Sequence, residues 1–222
     1  MKHLKKILAA NAAICMAAAM AVTSFAATRA PKADGQNKNH WCWATSAKIV
    51  AEHNGGSWID DSATVLSNTS GLHSYGGVPY YGVNASGAYT ADGVQREILI
   101  EVTGSDNDNG GSDANKEDAL EYAANRSVSV GTFGNYGSAL SSSEIQKIKN
   151  DLDNGDYVIG NMYNTTFKGH SVVIKDYNSS NKFRIHDPWD LTDMYYSSTI
   201  FSSASYPVGG SNMRIEWIQY CR

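Results

Sequence analysis

The chain is poor in cysteine, proline and charge. Its 222 residues include 3 cysteines and 4 prolines, and charged residues make up 18%. Cys15 lies in the apolar N-terminal run, so export would leave Cys42 and Cys221, enough for one disulfide at most. No repeat, charged block or Pro-rich linker divides the chain. These absences exclude a disulfide-rich scaffold and a repeat array.

The N-terminus predicts an export signal. Lysines at positions 2, 5 and 6 precede an apolar run from Ile7 to Val22, and Ser24-Phe25-Ala26 then supplies small residues for a signal peptidase. We expect cleavage after Ala26, which makes residues 1–26 a signal peptide and the mature protein secreted. This segment therefore does not belong to the fold.

Two other interpretations of the same run are weaker. A membrane anchor needs a span of about 20 strongly apolar residues, and this run is short and rich in alanine. A lipoprotein signal would place its cleavage site at Cys15, but Ile14 stands where a small residue is needed. We therefore expect no membrane attachment once the signal is removed.

The mature chain is acidic. Removing three lysines leaves 15 basic and 22 acidic residues, a net charge of −7. This balance argues against nucleic acid or an anionic membrane as the main partner. The remaining length of roughly 195 residues suits one domain or two lobes that share a core. We assign residues 27–39 to an extended polar arm and 40–222 to a domain expected to be monomeric.

Helical patterns fill the first half of the mature chain. The first predicted helix begins at Cys42 and ends at Asn54-Gly55-Gly56, which has the composition of a helix C-terminus. Ser141 and Glu144 form a predicted capping box before a second amphipathic helix. Further helices are predicted at residues 62–67, 91–102 and 116–124, with a loop over 104–115.

Strand patterns fill the second half. Four short segments rich in β-branched and aromatic residues are predicted as strands, at residues 157–163, 171–177, 183–186 and 213–220. The turn residues Asn178 to Asn181 join the middle two strands as a hairpin. Helices followed by an antiparallel sheet make an α+β fold, with two lobes meeting at a cleft.

Cys42 has the surroundings of a nucleophile. A free thiol has a pKa of about 8.5 and is mostly protonated at neutral pH, so it needs help to act as a thiolate. The N-terminus of a helix gives that help through unpaired N–H groups and the positive end of its dipole. Trp41 and Trp43 flank Cys42 and would pack this turn, although a purely structural role explains them equally well.

Two later segments offer a base and its partner. His170 follows Gly169 and opens an apolar strand, and Asp187 stands 17 residues later, before Pro188 and Trp189. A hairpin of this length returns the chain beside its own start, so Asp187 can lie next to His170. Taken singly, the segment around His170 is more typical of a structural histidine, and the segment around Asp187 is more typical of an Asp-Pro turn.

Together, the segments resemble papain-like cysteine peptidases. The shared pattern is Gln36 six residues before Cys42-Trp43-Ala44, then Gly169-His170 followed by aliphatic residues, then Asp187 with Trp189. The resemblance is to the bacterial branch that includes bacteriocin-processing, double-glycine-type peptidases and papain-fold effector proteases. It implies a helical lobe, with the nucleophile at a helix N-terminus, packed against a C-terminal antiparallel sheet lobe.

The resemblance also implies an activity. It makes Cys42 the nucleophile, His170 the base, Asp187 the residue that orients the base, and Gln36 an oxyanion-hole donor together with the Cys42 backbone N–H. The expected function is a secreted cysteine endopeptidase that hydrolyses protein or peptide substrates through an acyl-enzyme. No cofactor or metal is expected.

Several alternatives stay open at this point. Cys42 and Cys221 could instead form a disulfide. The domain could be an inactive papain-fold binding or adhesion module, or another acyl-transfer enzyme such as a transglutaminase or amidase. The stretch from Asp106 to Glu117 resembles a calcium loop, but Gly110 and Ala114 stand at two ligand positions, which favours a solvated acidic loop.

Overall fold

A computed structural model describes residue 36 and residues 40–54, 74–75, 78–79, 95, 98–99, 101–104, 110–124, 129–165 and 169–222. Within these ranges, helices α1, α2 and α3 span Cys42–His53, Asp113–Ala123 and Ser142–Asp153. Strands β1 to β10 span Ser74–Tyr75, Val78–Pro79, Val130–Gly134, Val158–Met162, His170–Tyr177, Lys182–His186, Asp193–Ser197, Tyr206–Val208, Ser211–Met213 and Ile215–Cys221. A 3-10 helix covers Ser198–Phe201.

A six-stranded antiparallel sheet forms the centre of the described fold. Its strand order is β3-β10-β4-β5-β6-β7. Helix α1 packs on β4, β5 and β10, and α2 packs on α1. The α+β prediction, with a helical part packed against a C-terminal antiparallel sheet, is therefore confirmed.

Both faces of the central strands are covered, which explains their nearly continuous apolar sequences. Ile159 and Val173 pack in one core cluster with the residues of α1 and α2. Their neighbours Val158 and Val172 point to the other face and pack in a second cluster with Ile148 of α3. Successive residues of a strand point to opposite faces, so alternate residues supply two separate cores.

The helix predictions are largely confirmed. Helix α1 begins at Cys42, and its C-cap residue is Asn54. The capping box at the start of α3 forms as predicted, with Ser141 and Glu144 each bonding the other's backbone N–H. The described residues among 91–102, namely 95, 98–99 and 101–102, are all helical. The predicted helix at 62–67 lies outside the described residues.

The predicted start of α2 is wrong by three residues. The expected loop over 104–115 ends early, because the helix begins at Asp113 rather than Lys116. The cause is a second capping box, in which Ser112 accepts a hydrogen bond from the Asn115 N–H and Asn115 Oδ1 accepts one from the Ser112 N–H. Asparagine takes the place that glutamate or glutamine usually fills, so the sequence does not show the usual capping-box pattern.

The four predicted strands are confirmed as β4, β5, β6 and β10, and the β5–β6 hairpin turns at residues 178–181. The strand predicted at residues 213–220 starts too early, because Met213 ends β9 and β10 begins at Ile215. Strands β3 and β7 were not predicted. They are the two edges of the sheet, and none of their residues is fully buried, so neither strand has the clean apolar and polar alternation of a strand with one face in the core.

In the part of the chain that the structure describes, no helix combines the length and apolar character needed to cross a membrane.

Gly134 is expected to be intolerant of any side chain. Its φ is +86°, and a Cβ would collide with the Glu216 carbonyl oxygen and lie 2.6 Å from Leu140 Cδ2. Gly155 has a similar φ of +89° but open space around it. We expect Gly134→Ala to lower the free energy of unfolding by about 3 kcal/mol, and Gly155→Ala by about 1 kcal/mol.

Urea denaturation followed by tryptophan fluorescence measures this difference. Because both variants bear the same backbone strain, their difference isolates the collision. Equal losses of stability in the two variants would contradict the packing of β3 against β10.

Candidate active site

Cys42 is the first residue of α1 and is buried, with 7% of its surface exposed. The N-cap residue, Trp41, makes no side-chain capping bond, so the positive end of the helix stays available to a neighbouring anion. Next to Cys42, Trp43 packs against Gly111, where a Cβ would lie 2.8 Å from the indole. This close packing fixes the helix end against the start of α2.

His170 and Asp187 meet at one end of the β5–β6 hairpin. His170 opens β5, and Asp187 directly follows β6. Because the two strands pair antiparallel, the start of one lies beside the end of the other. His170 Nε2 bonds Asp187 Oδ1 at 2.8 Å, with both side chains buried. The predicted contact between these residues is therefore present.

Three donors hold the Asp187 carboxylate. Besides His170, the Trp189 backbone N–H donates to Oδ1 at 2.9 Å and the Tyr206 hydroxyl donates to Oδ2 at 2.9 Å. Burial alone raises the pKa of Asp187, but the hydrogen bond and charge of His170, together with the other two donors, bring the pKa below its usual value. The carboxylate stays ionised and fixed in orientation.

Cys42 and His170 stabilise each other's charged forms. Burial raises the pKa of the Cys42 thiol, but the charge and hydrogen bond of His170, a hydrogen bond from the Ser171 backbone and the charge of Lys116 outweigh it and lower that pKa. Burial lowers the pKa of His170, but the Cys42 charge and the Asp187 hydrogen bond outweigh burial and raise that pKa above its usual value. Both shifts favour the thiolate form of Cys42 and the imidazolium form of His170.

The bond to Asp187 uses one ring nitrogen of His170. Nε2 is bonded to Asp187, which leaves Nδ1 as the nitrogen for Cys42. A bond on one imidazole nitrogen determines the role of the other. Trp189 lies edge-on to the His170 ring, with ring centroids 6.4 Å apart. The indole therefore lies beside the imidazole that bonds Asp187.

Gln36 reaches the same neighbourhood by its backbone. Its N–H donates to the Pro188 carbonyl at 2.8 Å, and its side chain is half-buried. Pro188 follows Asp187, so this bond attaches the predicted arm to the loop that carries the predicted orienting residue. The assignment of Gln36 to an oxyanion hole stays a prediction.

The alternative Cys42–Cys221 disulfide is wrong, because both thiols are free. Cys221 lies near the other end of α1, where Asn54 Nδ2 donates to its sulfur at 3.6 Å. A helix of 12 residues is about 18 Å long, whereas a disulfide requires Cα atoms within about 7 Å. Burial raises the pKa of Cys221 to about 11.

The other histidines lie apart from this constellation or outside the described residues. His40 is exposed in the turn before α1, and His53 stacks on Tyr157 near the far end of the helix. His73 and the first residues of the calcium-like stretch lie outside the described residues, and Glu117 of that stretch is part of α2. The described residues contain no His, Cys, Asp and Glu cluster suited to a metal ion.

Three residues of the site were missed by sequence reasoning. Tyr206, on β8, reaches Asp187 from 19 residues away. Lys116 of α2, which donates to Tyr136 of the β3–α3 loop, contributes to the lowered pKa of Cys42. Their local sequences carry no catalytic motif.

A match to a family model supports the resemblance seen in the sequence. A family model described as "Peptidase_C39 like family" matches residues 31–208. The peptidase domain of Streptococcus ComA, a bifunctional ABC transporter involved in quorum sensing, matches at 12% identity and a TM-score of 0.46, covering 84% of this chain and 94% of that one.

The Pseudomonas avirulence protein AvrPphB matches at 13% identity and a TM-score of 0.37, covering 83% of this chain and 92% of that one. Among curated proteins, none matches significantly.

The two thiols are expected to differ sharply in reactivity. Only a thiolate reacts with iodoacetamide, and the pKa of Cys42 is lowered whereas that of Cys221 is raised to about 11. At pH 6 we expect Cys42 to be alkylated at least about a hundredfold faster than Cys221. Mass spectrometry of the tryptic peptides measures both rates in one sample, and equal rates would contradict the ion pair.

Proposed function

Because the chain belongs to the Peptidase_C39 like family, and is a cysteine-type peptidase acting on peptides or proteins, we propose that it works through a Cys42–His170–Asp187 triad. The observation that carries this proposal is the buried His170–Asp187 hydrogen bond of 2.8 Å, made by the same imidazole that lowers the pKa of the Cys42 thiol. A base oriented by a third group beside a nucleophile is the general arrangement for covalent catalysis.

The first step is acylation. The Cys42 thiolate attacks the carbonyl carbon of the substrate peptide bond, and the carbonyl oxygen takes up the negative charge. The His170 imidazolium then donates its proton to the nitrogen of the leaving amine as the carbon–nitrogen bond breaks. The thioester remains on Cys42, and His170 is left neutral, with its orientation held by Asp187.

The second step is hydrolysis of the thioester. Neutral His170 removes a proton from water, whose oxygen attacks the thioester carbon. The carbon–sulfur bond breaks, which releases the carboxylic acid product and restores the thiolate and imidazolium pair. Both steps pass through an oxyanion, and we assign its stabilisation to the Gln36 side-chain amide and the Cys42 backbone N–H. A single donor of this kind lowers the activation barrier by about 3 kcal/mol.

The ionisation of the pair gives the reaction two pH limits. Activity falls in acid as the thiolate is protonated, at the lowered pKa of Cys42. It falls in alkali as His170 loses the proton that the leaving amine needs, at a pKa raised above that of ordinary histidine. Because Cys42 and His170 titrate together, the two apparent pKa values describe the coupled pair rather than either residue alone.

We further propose that the enzyme is exported and cleaves within unstructured protein segments as an endopeptidase. The N-terminal positive charges, apolar run and small residues at Ser24 and Ala26 support the export. N-terminal sequencing of protein from the culture medium tests it, with Ala27 as the expected first residue. A chain that stays in the cell with an intact N-terminus would refute this.

Replacement of each cysteine tests the nucleophile. With an unstructured protein as substrate, we expect Cys42→Ala to lower kcat/KM by at least about a thousandfold. Cys221→Ala is the matched control, since it removes a buried thiol at the other end of α1, and its activity should stay within about threefold of wild type. Circular dichroism establishes that both variants fold.

Cleavage by Cys42→Ala at the wild-type rate would refute the proposal. Mass spectrometry of the products distinguishes hydrolysis, which adds the mass of water, from transfer to an amine. An inactive binding module would give no products even with intact Cys42.

A further inference from the structure

The two oxygens of the Asp187 carboxylate are held by different parts of the fold. Oδ1 accepts from His170 Nε2 at 2.8 Å and from the Trp189 backbone N–H at 2.9 Å, and both donors lie on the β5–β6 hairpin or directly after it. Oδ2 instead accepts from the Tyr206 hydroxyl at 2.9 Å. Because a carboxylate held at one oxygen alone can still swing about that oxygen, the bond from Tyr206 fixes its plane.

Tyr206 is itself held rigidly. It opens β8 and pairs with Met213 of β9, in a two-stranded sheet separate from the six-stranded one. Only 1% of its surface is exposed, and its ring centroid lies 4.8 Å from that of Tyr196 on β7. A side chain enclosed in this way loses little further freedom when its hydroxyl bonds a carboxylate.

The Tyr206 hydroxyl is a permanent donor. Burial, then the charge of Asp187, and then the hydrogen bond to Asp187 raise the pKa of the phenol well above its ordinary value. The hydroxyl therefore keeps its proton at every pH at which the enzyme would work. A hydrogen bond to an ionised acceptor is stronger than one between neutral groups, and a buried carboxylate oxygen that loses its donor is costly.

The proposed reaction makes changing demands on Asp187. His170 is an imidazolium before acylation and a neutral imidazole in the acyl-enzyme, so the charge that attracts the carboxylate disappears halfway through the cycle. Nε2 must nevertheless stay directed at Asp187, because Nδ1 has to exchange protons with the leaving amine and then with water. The carboxylate therefore needs donors that do not change charge. Tyr206 and the Trp189 N–H are such donors.

We propose that Tyr206 is a positioning residue, whose buried hydroxyl holds the Asp187 carboxylate at Oδ2 so that Asp187 orients His170 in both of its charge states. This inference rests on the proposed triad and adds a fourth side chain to it. Tyr206 acts through Asp187 and His170, and its burial keeps it from touching the substrate.

A purely structural role is the alternative. Tyr206 belongs to the core cluster that also contains Phe201 and Met213, so truncation of its ring would disturb packing whatever the hydroxyl does. The two roles differ in the hydroxyl alone. Its loss changes the chemistry only if the bond to Asp187 orients the base.

Tyr206→Phe is the test, because it removes the hydroxyl and keeps the ring. With an unstructured protein as substrate, we expect kcat to fall about tenfold and KM to stay within about twofold of wild type, since the lost bond serves the chemical steps. Circular dichroism establishes that the variant folds. A folded variant with the wild-type kcat would overturn the proposal, and so would a loss confined to KM.

Tyr177→Phe is the matched control. The Tyr177 hydroxyl also donates to an aspartate, Asp153, at 2.8 Å, but Tyr177 ends the strand that His170 begins. The change is chemically the same and lies at the far end of β5, so kcat should stay within about twofold of wild type. Equal losses in the two variants would contradict a role specific to Asp187.

A double-mutant cycle distinguishes positioning from packing. If Tyr206 acts through Asp187, its hydroxyl has nothing to orient in Asp187→Ala. Adding Tyr206→Phe to Asp187→Ala should therefore lower kcat by less than about twofold, in contrast to about tenfold in the wild-type background. A second tenfold loss would show that the hydroxyl acts independently of Asp187 and would overturn the proposal.

A further measurement leaves Tyr206 in place, in case its replacement prevents folding. Alkylation of Cys42 by iodoacetamide removes the thiolate, so His170 becomes neutral at pH 8 and Asp187 loses a charged donor. The carboxylate should then accept more strongly from Tyr206. We expect the ¹³C resonance of Tyr206 Cζ to move to lower field on alkylation, and that of Tyr177 to stay in place. An unchanged Tyr206 resonance would contradict the proposal.

Failure of the triad is distinguishable from failure of this inference. If Cys42→Ala and Asp187→Ala are both impaired but Tyr206→Phe matches wild type, the triad stands and the role of Tyr206 is refuted. If Asp187→Ala keeps the wild-type kcat, Asp187 does not orient the base, and both are refuted.

Discussion

The proposed ion pair between the Cys42 thiolate and the His170 imidazolium is the interaction on which the rest of the site depends. Both side chains are buried, where an isolated charge is costly. The structure compensates them by distributing charge over neighbours. Asp187 faces the imidazolium, the N-terminus of α1 and Lys116 face the thiolate, and Tyr206 closes the set by donating to Asp187. Each charge is thus stabilised by its neighbours.

The antiparallel sheet gives this arrangement its rigidity. His170 is held by its strand and by pairing with Met162 across β4. Its neighbour Ser171 donates to Asn161 at 2.6 Å, and Asn161 donates to Gln219 at 3.0 Å, so a buried polar chain crosses three strands on the face where α1 packs. A shift of register would break these bonds as well as the hydrophobic packing. The base is thus positioned by the register of the sheet.

The sequence predicted what local patterns and contiguous motifs encode. The start of α1 at Cys42, the capping box at Ser141 and the β5–β6 hairpin were all predictable, and the hairpin alone placed Asp187 beside His170. Edge strands β3 and β7 were missed because neither has a fully buried face, and an apolar face is what produces an alternating pattern. Tyr206 and Lys116 could not be assigned to the site, because tertiary packing brings them there. A buried lysine and a solvated one look identical in a single sequence.

The protonation state of His170 at neutral pH tests the ion pair most directly. The ¹⁵N chemical shifts of its ring distinguish an imidazolium, protonated on both nitrogens, from a neutral imidazole. The account predicts an imidazolium at pH 7 in the wild-type enzyme, because the Cys42 charge and the Asp187 hydrogen bond outweigh burial. It also predicts a fall in the His170 pKa once Cys42 is alkylated. A neutral ring at pH 7 with Cys42 unmodified would contradict it.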